Sequence, residues 1–201
     1  MDKSNFDYLF DNTAAKRQDV LKTPFVQGVK KGNLEAAVFD GYVVQDCVYL
    51  YEQYRCIQSA IKVAKEGDLK VFLEKIVKRY EGYYQAAFKL YHIDNPSGIK
   101  LGPACQKYVD YMRKASTMDT IYFIVSMTPC LSLWAWLGDQ VKGPTNGVYA
   151  QWVKDNFVGG STLKDSIEKI NKFANFDRKK ALDIFEEGMG NEFDFFNSAG
   201  K

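Results

Sequence analysis

Apolar residues recur along most of the chain at intervals of three and four, which is the period of an amphipathic helix. No stretch alternates apolar and polar residues over several positions, as a half-buried strand would. The pattern therefore predicts an all-α bundle of roughly seven or eight helices. With 201 residues and 46% hydrophobic content, the chain is long enough for one well-buried core, so we expect a single domain over residues 1–201.

Capping and helix-breaking residues predict where these helices begin and end. A first helix is expected over Asn5–Leu21, with Pro24 ending it or kinking the chain, and a second from an N-cap at Asn33 to about Lys65. The next helix is expected to be capped by Asp68 and to end near His92, and a short helix is expected over 104–116. A longer helix should start at Thr117 or Asp119 and stop at Gly143-Pro144. After it we expect a short helix within 146–157, a helix with a Ser/Thr cap after Gly160, and a last helix over 177–199.

The most apolar segment, TIYFIVSMTPCLSLWAWLG, covers Thr120–Gly138. A membrane span needs about 20 mostly apolar residues, whereas polar residues and Pro129 interrupt this one. The segment therefore predicts a buried core helix. Pro129 lacks an N–H and is expected to kink the helix and open space beside Cys130. That thiol is either a nucleophile facing a cavity or an inert buried side chain.

Composition and charge exclude several classes of site. The net charge is +2 with no basic stripe, so nucleic acid is not expected. The four cysteines form no C-x-x-C pair and the single histidine is His92, so no zinc or di-iron site can be built; His92 is expected to cap a helix C-terminus rather than bind haem. No phosphate-binding motif occurs. No secretory signal is seen at the N-terminus, so we expect a cytoplasmic protein with free thiols and no cofactor, metal or membrane partner.

Two carboxylates lie in apolar surroundings. Asp46 and Tyr49 are spaced i and i+3 on one predicted helix, with Tyr42 and Tyr51 nearby. Asp46 either grips a cationic or amidine-like group over which tyrosines stack, or is a surface residue beside core aromatics. Glu192, in the segment NEFDFF, has two phenylalanines at helical spacing after it; it either has a raised pKa and acts as acid and base, or is solvated.

Four segments in order resemble the TenA (thiaminase II) family: PFVQG followed by QD, then MTPCLSLWAWLGD, then YAQWVKDNFVGG, then NEFDFFNSA. The resemblance covers about residues 6–199. It implies a haem-oxygenase-like helical bundle that binds no haem. It also implies hydrolysis of an aminopyrimidine, either thiamin or the aminomethylpyrimidine left by its breakdown, to hydroxymethylpyrimidine for thiamin salvage.

The resemblance also implies roles for individual residues. Cys130 matches the nucleophile of the cysteine-bearing branch, and covalent addition would divide one hard substitution into two easier steps. Asp46 matches the carboxylate that binds the amidine-like edge of the ring. Glu192 matches the acid and base. Tyr49 and Tyr108 match tyrosines of the substrate pocket.

The chain departs from the family pattern at two substrate-binding positions. Trp134 and Asn156 stand where the family usually has tyrosines, with Phe157 beside the latter. Tryptophan can stack on a pyrimidine but has no hydroxyl. The family usually forms tetramers, so a homotetramer with apolar contacts on the first helices is expected. The main rival hypothesis is a non-catalytic pyrimidine-binding or regulatory relative. A weaker one is a redox enzyme of the related quinone-cofactor-synthesis branch, and the shortage of histidine argues against it.

Overall fold

The computed structural model describes residues 3–141 and 147–201, and these residues form α-helices, one 3₁₀ turn and no strand. The all-α prediction is confirmed, with ten α-helices in the described residues instead of seven or eight. They are α1 (Asn5–Asn12), α2 (Ala14–Leu21), α3 (Pro24–Lys31), α4 (Ala36–Val63), α5 (Asp68–Leu90), α6 (Pro103–Ala115), α7 (Thr120–Gln140), α8 (Ala150–Asn156), α9 (Ser161–Lys172) and α10 (Arg178–Ser198). The 3₁₀ turn is Pro96–Gly98, within the segment expected to be a loop.

The expected first helix is two helices, because the chain breaks at Thr13. The Thr13 hydroxyl donates to the carbonyls of Leu9 and Phe10 at 3.3 and 3.0 Å, and the Arg17 side chain also donates to the Phe10 carbonyl. These side chains replace the backbone donors that a continuous helix would supply. A threonine in a helical pattern does not by itself predict such a break.

The predictions for Pro24 and Asn33 were wrong. Pro24 begins α3 at a position where its missing N–H is not needed, and the Thr23 hydroxyl caps the helix by accepting from the Val26 N–H. Asn33 does not cap α4. Its N–H bonds to the Gly28 carbonyl at 3.0 Å, as part of the turn that ends α3, where Gly32 has a φ of 69°.

The remaining boundaries fall close to the predictions. Asp68 lies in the first turn of α5, after Gly67 at the cap position, and Gly160 rather than a hydroxyl side chain precedes α9. His92 does end α5: it adopts a left-handed φ of 54°, and the next N–H bonds to the Phe88 carbonyl at 2.9 Å. The expected stop at Gly143-Pro144 lies outside the described residues.

Helix α7 lies in the middle of the core, as predicted for the most apolar segment. Twelve of its residues are buried, and it packs against α10, α9 and α6. It is the one described helix long and apolar enough to cross a membrane, but 67% of that apolar window is buried inside the protein. The exposed large apolar residues of the described chain avoid α1–α3, where subunit contacts were expected; they are Val63, Val71, Tyr83, Leu90, Val148 and Val158.

Helix α7 continues through Pro129 as one element. The proline ring is accommodated because α10 presents Gly188 to it. A Cβ on Gly188 would lie 2.8 Å from the Pro129 Cγ and 3.1 Å from the Tyr111 hydroxyl oxygen. Contact between the proline and the glycine therefore sets the approach of the two helices that carry Cys130 and Glu192.

We predict that Gly188→Ala destabilises the protein by about 1–3 kcal/mol, because the added methyl overpacks against a rigid proline ring. Chemical denaturation measures the effect. Gly190→Ala on the same helix is the control. No atom lies within 4 Å of a Cβ placed there, so its better helix propensity should leave stability unchanged or slightly raised. Equal effects of both substitutions would contradict the packing argument.

Candidate active site

Three helices bring two carboxylates and one thiol together in the core. Asp46 comes from the middle of α4, Cys130 from α7 directly after its proline, and Glu192 from α10. The thiol of Cys130 lies close enough to Glu192 for each group to affect the pKa of the other, and the charge of Glu192 acts on Asp46. These residues, separated by up to about 146 positions in sequence, form the candidate active site.

Glu192 is the most enclosed of the three, with 2% of its surface exposed. The Tyr108 hydroxyl donates to its Oε1 at 2.6 Å, and the Trp134 indole N–H donates to its Oε2 at 3.3 Å. The carboxyl group is therefore held in one orientation, with the thiol beside it.

Burial raises the pKa of Glu192 to about 7, even though the hydrogen bonds from Tyr108, Trp134 and Cys130 all lower it. Burial and the neighbouring charge of Glu192 raise the pKa of Asp46 to about 7 as well. Two carboxyl groups that titrate near neutral pH can each give or take a proton there.

Asp46 differs from Glu192 in its exposure and in its hydrogen-bond partners. It is only half-buried, and its carboxylate has no hydrogen-bond donor among the described residues. A partly buried carboxylate that lacks a partner is costly to ionise. A ligand that presents N–H groups or positive charge would satisfy it.

Cys130 is half-buried, whereas Cys47, Cys56 and Cys105 are buried. Burial, followed by the charges of Glu192 and Asp46, raises the pKa of the Cys130 thiol well above its ordinary value. The unliganded protein therefore holds Cys130 as a neutral thiol at neutral pH. Its reactivity depends on a base that removes the proton, and Glu192 is the carboxylate in contact with it.

Aromatic rings surround these groups. Tyr42 packs against Phe195 and Phe196 with ring centroids 4.9 and 5.3 Å apart, and Trp134 lies 5.8 Å from Phe196. Tyr49 lies 4.5 Å from Tyr108. The surfaces suit a flat, uncharged or weakly cationic ring.

Tyr49 and Tyr51 both lie near Asp46 in sequence, but the helix separates them. Tyr49 is buried next to Tyr108 in the site. Tyr51 is two positions further along and points the other way, where it packs against Tyr84 and Phe88 of α5. The reason is the 3.6-residue period, which places residues two apart on nearly opposite faces.

Asn156 ends α8 and its amide donates to the helix's own Trp152 carbonyl at 2.8 Å, so the structure gives it no contact with Asp46, Cys130 or Glu192. The adjacent Phe157 is the residue that packs toward the site, 5.3 Å from Trp134. A substrate-binding role for Asn156 stays a prediction. Trp134 has no hydroxyl, but its indole N–H still makes a polar contact in the site, with Glu192.

The sequence pattern placed Tyr42 near Asp46 as a stacking ring but indicated nothing for two other buried polar residues, Gln53 and Tyr80. The Tyr42 hydroxyl is buried, has no partner among the described residues, and senses the charges of Asp46 and Glu192. Tyr80 of α5 senses Cys130 and Glu192, and Gln53 donates to the Tyr49 hydroxyl. Helical spacing from Tyr49 would have found Gln53, whereas Tyr80 lies on another helix with no local signal.

The described residues contain no group of three or more His, Cys, Asp or Glu side chains arranged to hold a metal ion. In the candidate site the Cys130 thiol lies next to the carboxyl of Glu192, with Asp46 nearby, which is a placement that suits a nucleophile and an acid–base group.

Similarity to one protein family extends over most of the chain. The sequence profile of the TENA/THI-4/PQQC family matches residues 12–198. The chain belongs to this family. The match includes all three groups of the candidate active site, and it confirms the TenA resemblance drawn from the sequence motifs.

Curated relatives are distant. An aminopyrimidine aminohydrolase of Bacillus subtilis is 25% identical over 163 residues, which are 75% of this chain and 67% of that protein. A hydroxymethylpyrimidine/phosphomethylpyrimidine kinase of Saccharomyces cerevisiae is 24% identical over 184 residues, which are 85% of this chain. This chain spans only 33% of the yeast protein's length.

A TenA homologue from P. horikoshii OT3 has the same fold. It superposes with a TM-score of 0.86 at 19% identity, over 98% of this chain and 98% of that one. The all-α, haem-oxygenase-like bundle expected from the resemblance is therefore confirmed.

The raised pKa of Glu192 predicts a pH dependence of stability. Because its pKa is about 7 in the folded protein, against an ordinary value of 4.5 in the unfolded chain, the folded protein binds the extra proton between these values. Unfolding free energy should therefore fall as pH rises from about 4.5 to 7, by up to about 3 kcal/mol from this group.

Urea denaturation at several pH values tests this, with Glu192→Gln as the variant that removes the titration. The unfolding free energy of the variant should therefore fall less than that of the wild type as the pH rises from 5 to above 7. Parallel curves for the two proteins would contradict the assignment.

Proposed function

We propose that the protein is a hydrolase of aminopyrimidines, acting on aminomethyl-aminopyrimidine or thiamin to give hydroxymethylpyrimidine for thiamin salvage. The observation that carries the proposal is the placement of the Cys130 thiol beside the buried carboxyl of Glu192, with the unpartnered carboxylate of Asp46 nearby. Family membership and a relative named as an aminopyrimidine aminohydrolase support it.

Asp46 is proposed to bind and orient the ring. The amidine-like edge of an aminopyrimidine has a ring nitrogen beside an amino group, and a carboxyl group can meet both with two parallel hydrogen bonds. Because the pKa of Asp46 is about 7, the carboxyl can share a proton with the ring nitrogen at neutral pH. Positive charge on the ring then makes its carbons more electrophilic.

Cys130 is proposed as the nucleophile and Glu192 as its base. The Cys130 sulfur bonds to an electron-poor ring carbon while its proton passes to Glu192. No further base is needed for this step, because Glu192 already lies beside the thiol. Glu192 then gives that proton to the departing amine as the bond from the exocyclic carbon breaks. The thiazolium of thiamin would leave as a neutral thiazole that needs no proton, and Glu192 would then release its proton to solvent.

The second half of the reaction reverses these roles. Water adds to the exocyclic carbon and gives its proton to Glu192, and the carbon–sulfur bond then breaks as the sulfur recovers a proton. The net change is replacement of the amine by a hydroxyl. A carboxyl with a pKa of about 7 suits a group that must be base and acid in turn.

The remaining site residues are proposed to position the ring and Glu192. Tyr108 and Trp134 hold the two carboxylate oxygens. Tyr49 supports Tyr108, and Trp134 also presents an aromatic surface to the ring. Asn156 is proposed to contact the part of the substrate beyond the pyrimidine.

We propose a cytoplasmic protein of one domain over residues 1–201 that forms a homotetramer and uses no cofactor. The partner is a small aminopyrimidine or thiamin, with no nucleic acid or membrane involved. The described cysteines form no disulfide, which suits a reducing compartment.

Product formation tests the hydrolase directly. We expect the purified protein to release hydroxymethylpyrimidine from aminomethyl-aminopyrimidine, from thiamin, or from both, measured by chromatography. Cys130→Ala should lose at least about a thousandfold in kcat, since nucleophile and base act as one unit.

Cys56→Ala is the matched control, because that thiol is also on a core helix but its charged neighbours are Glu52 and two arginines rather than Glu192. It should keep its activity. Binding of the pyrimidine without product from the wild type would instead support the non-catalytic, regulatory alternative.

The pKa of Glu192 sets the expected pH profile. As the base must be ionised to take the thiol proton, kcat/KM should rise with pH through a limb centred near 7, where Glu192 and Asp46 both titrate. Rates with saturating and limiting substrate between pH 5 and 9 measure it. A limb near pH 4.5, the ordinary value of a glutamate, would show that the buried carboxyl is not the base.

A further inference from the structure

Tyr42 carries a buried hydroxyl that the chemistry proposed above does not use. The residue lies on α4 one turn before Asp46, with 3% of its surface exposed. Its oxygen has no hydrogen-bond partner among the described residues, whereas the hydroxyls of Tyr49, Tyr108 and Tyr111 each have one. An unpaired buried hydroxyl costs free energy that a phenylalanine of nearly the same shape would avoid. The oxygen therefore points to a partner that the described chain does not supply.

The packing of the Tyr42 ring places it beside the candidate active site. The ring centroid lies 4.9 Å from that of Phe195 and 5.3 Å from that of Phe196, and both phenylalanines follow Glu192 by about one turn of α10. Burial raises the pKa of the Tyr42 hydroxyl, and the charges of Asp46 and Glu192 raise it further. Both carboxyl groups of the site are therefore near the unpaired oxygen.

Tyr42 also forms part of the wall of a cavity between α4, the start of α6 and the end of α10. The cavity has a volume of about 790 Å³. Gly41, Lys100 and Pro103 of its wall are exposed, so the cavity reaches solvent, whereas Tyr42 and Cys105 are buried. A single water needs only roughly 10–15 Å³ of such space. Tyr42 therefore stands between a supply of water and the two carboxyl groups.

Water is the partner of this hydroxyl that the proposed reaction calls for. Asp46 already takes the polar edge of the pyrimidine, and the exocyclic carbon carries no polar group once the amine has left. The second half of the reaction then needs a water molecule beside Glu192. A buried water is held by two or more polar partners, and the Glu192 carboxylate together with the Tyr42 hydroxyl supplies two.

We propose that Tyr42 is a catalytic residue that holds the hydrolytic water against Glu192. The water donates one hydrogen to the carboxylate and the other to the Tyr42 oxygen, which leaves a lone pair for the exocyclic carbon. The carbon–oxygen bond forms as the first proton passes to Glu192, and the second proton stays on the product hydroxyl. Tyr42 itself neither gains nor loses a proton. The inference rests on the proposed function and deepens it, because it assigns a residue to the water step alone.

The test separates the two halves of the reaction in the Tyr42→Phe protein, which keeps the ring and lacks the oxygen. Protein in excess is mixed with thiamin or with aminomethyl-aminopyrimidine and quenched in acid at timed intervals. Mass spectrometry then measures the pyrimidine attached to Cys130. The adduct should form at the wild-type rate, because Tyr42 takes no part in that half. It should then decay about tenfold more slowly, which is the effect of losing roughly one net hydrogen bond.

Tyr122→Phe is the matched control. Tyr122 is also a buried tyrosine stacked on a phenylalanine, with its ring centroid 6.5 Å from that of Phe176. It lies on the same helix as Cys130 but about 12 Å away along the axis, at a rise of about 1.5 Å per residue. The control should change neither rate. Urea denaturation should show that Tyr42→Phe is at least as stable as the wild type, since the substitution removes an unpaired buried hydroxyl.

Two results would overturn the proposal. One is an adduct that decays at the wild-type rate in the Tyr42→Phe protein. The other is formation of the adduct that slows as much as its decay, because Tyr42 would then position the ring instead of the water. A wild-type protein that forms no adduct at all gives a different result, which would contradict the proposed function itself and the water step with it.

Discussion

The burial of Glu192 against the Cys130 thiol is the interaction on which the candidate site depends. A lone carboxylate in such a place would carry a large desolvation penalty. Here Tyr108 and Trp134 each donate a hydrogen bond to one of its oxygens, and the Cys130 thiol lies beside it. The penalty is reduced but not removed, and the pKa of about 7 is the result.

The rest of the fold serves this contact. Helices α7 and α10 must approach closely for the thiol to meet the carboxyl, and the bare Cα of Gly188 allows it by leaving room for Pro129. Helix α4 then adds Asp46, whose half-buried carboxylate has no hydrogen-bond donor among the described residues. Because the charge of Glu192 also acts on Asp46, a cationic or proton-sharing ring bound at Asp46 would favour the ionised forms of both carboxyl groups.

Much of this could be predicted from the sequence, for physical reasons. Helical period indicated the all-α class, and the apolar run of α7 indicated its burial. The TenA motifs named Asp46, Cys130 and Glu192 before any geometry was known. Local signals were less reliable where side chains compete with the backbone, as at Thr13, and where a proline can begin a helix as easily as end one, as at Pro24.

Long-range contacts could not be predicted in the same way. Nothing near Trp134 in sequence indicates that its indole N–H meets a carboxylate 58 residues away. Tyr80 comes close to the site from a helix that carries no motif. Such residues are found only when the helices are packed, because hydrogen-bond direction is a property of the assembled core.

The central claim is that Cys130 forms a covalent bond to the pyrimidine with Glu192 as its base. Mass spectrometry of the wild-type protein, quenched in acid within milliseconds of mixing with excess substrate, tests it most directly. The account predicts a peptide containing Cys130 that is heavier by the pyrimidine fragment, with Cys47, Cys56 and Cys105 unmodified. Product that accumulates while Cys130 stays unmodified at every quench time, and that Cys130→Ala forms at the wild-type rate, would contradict it.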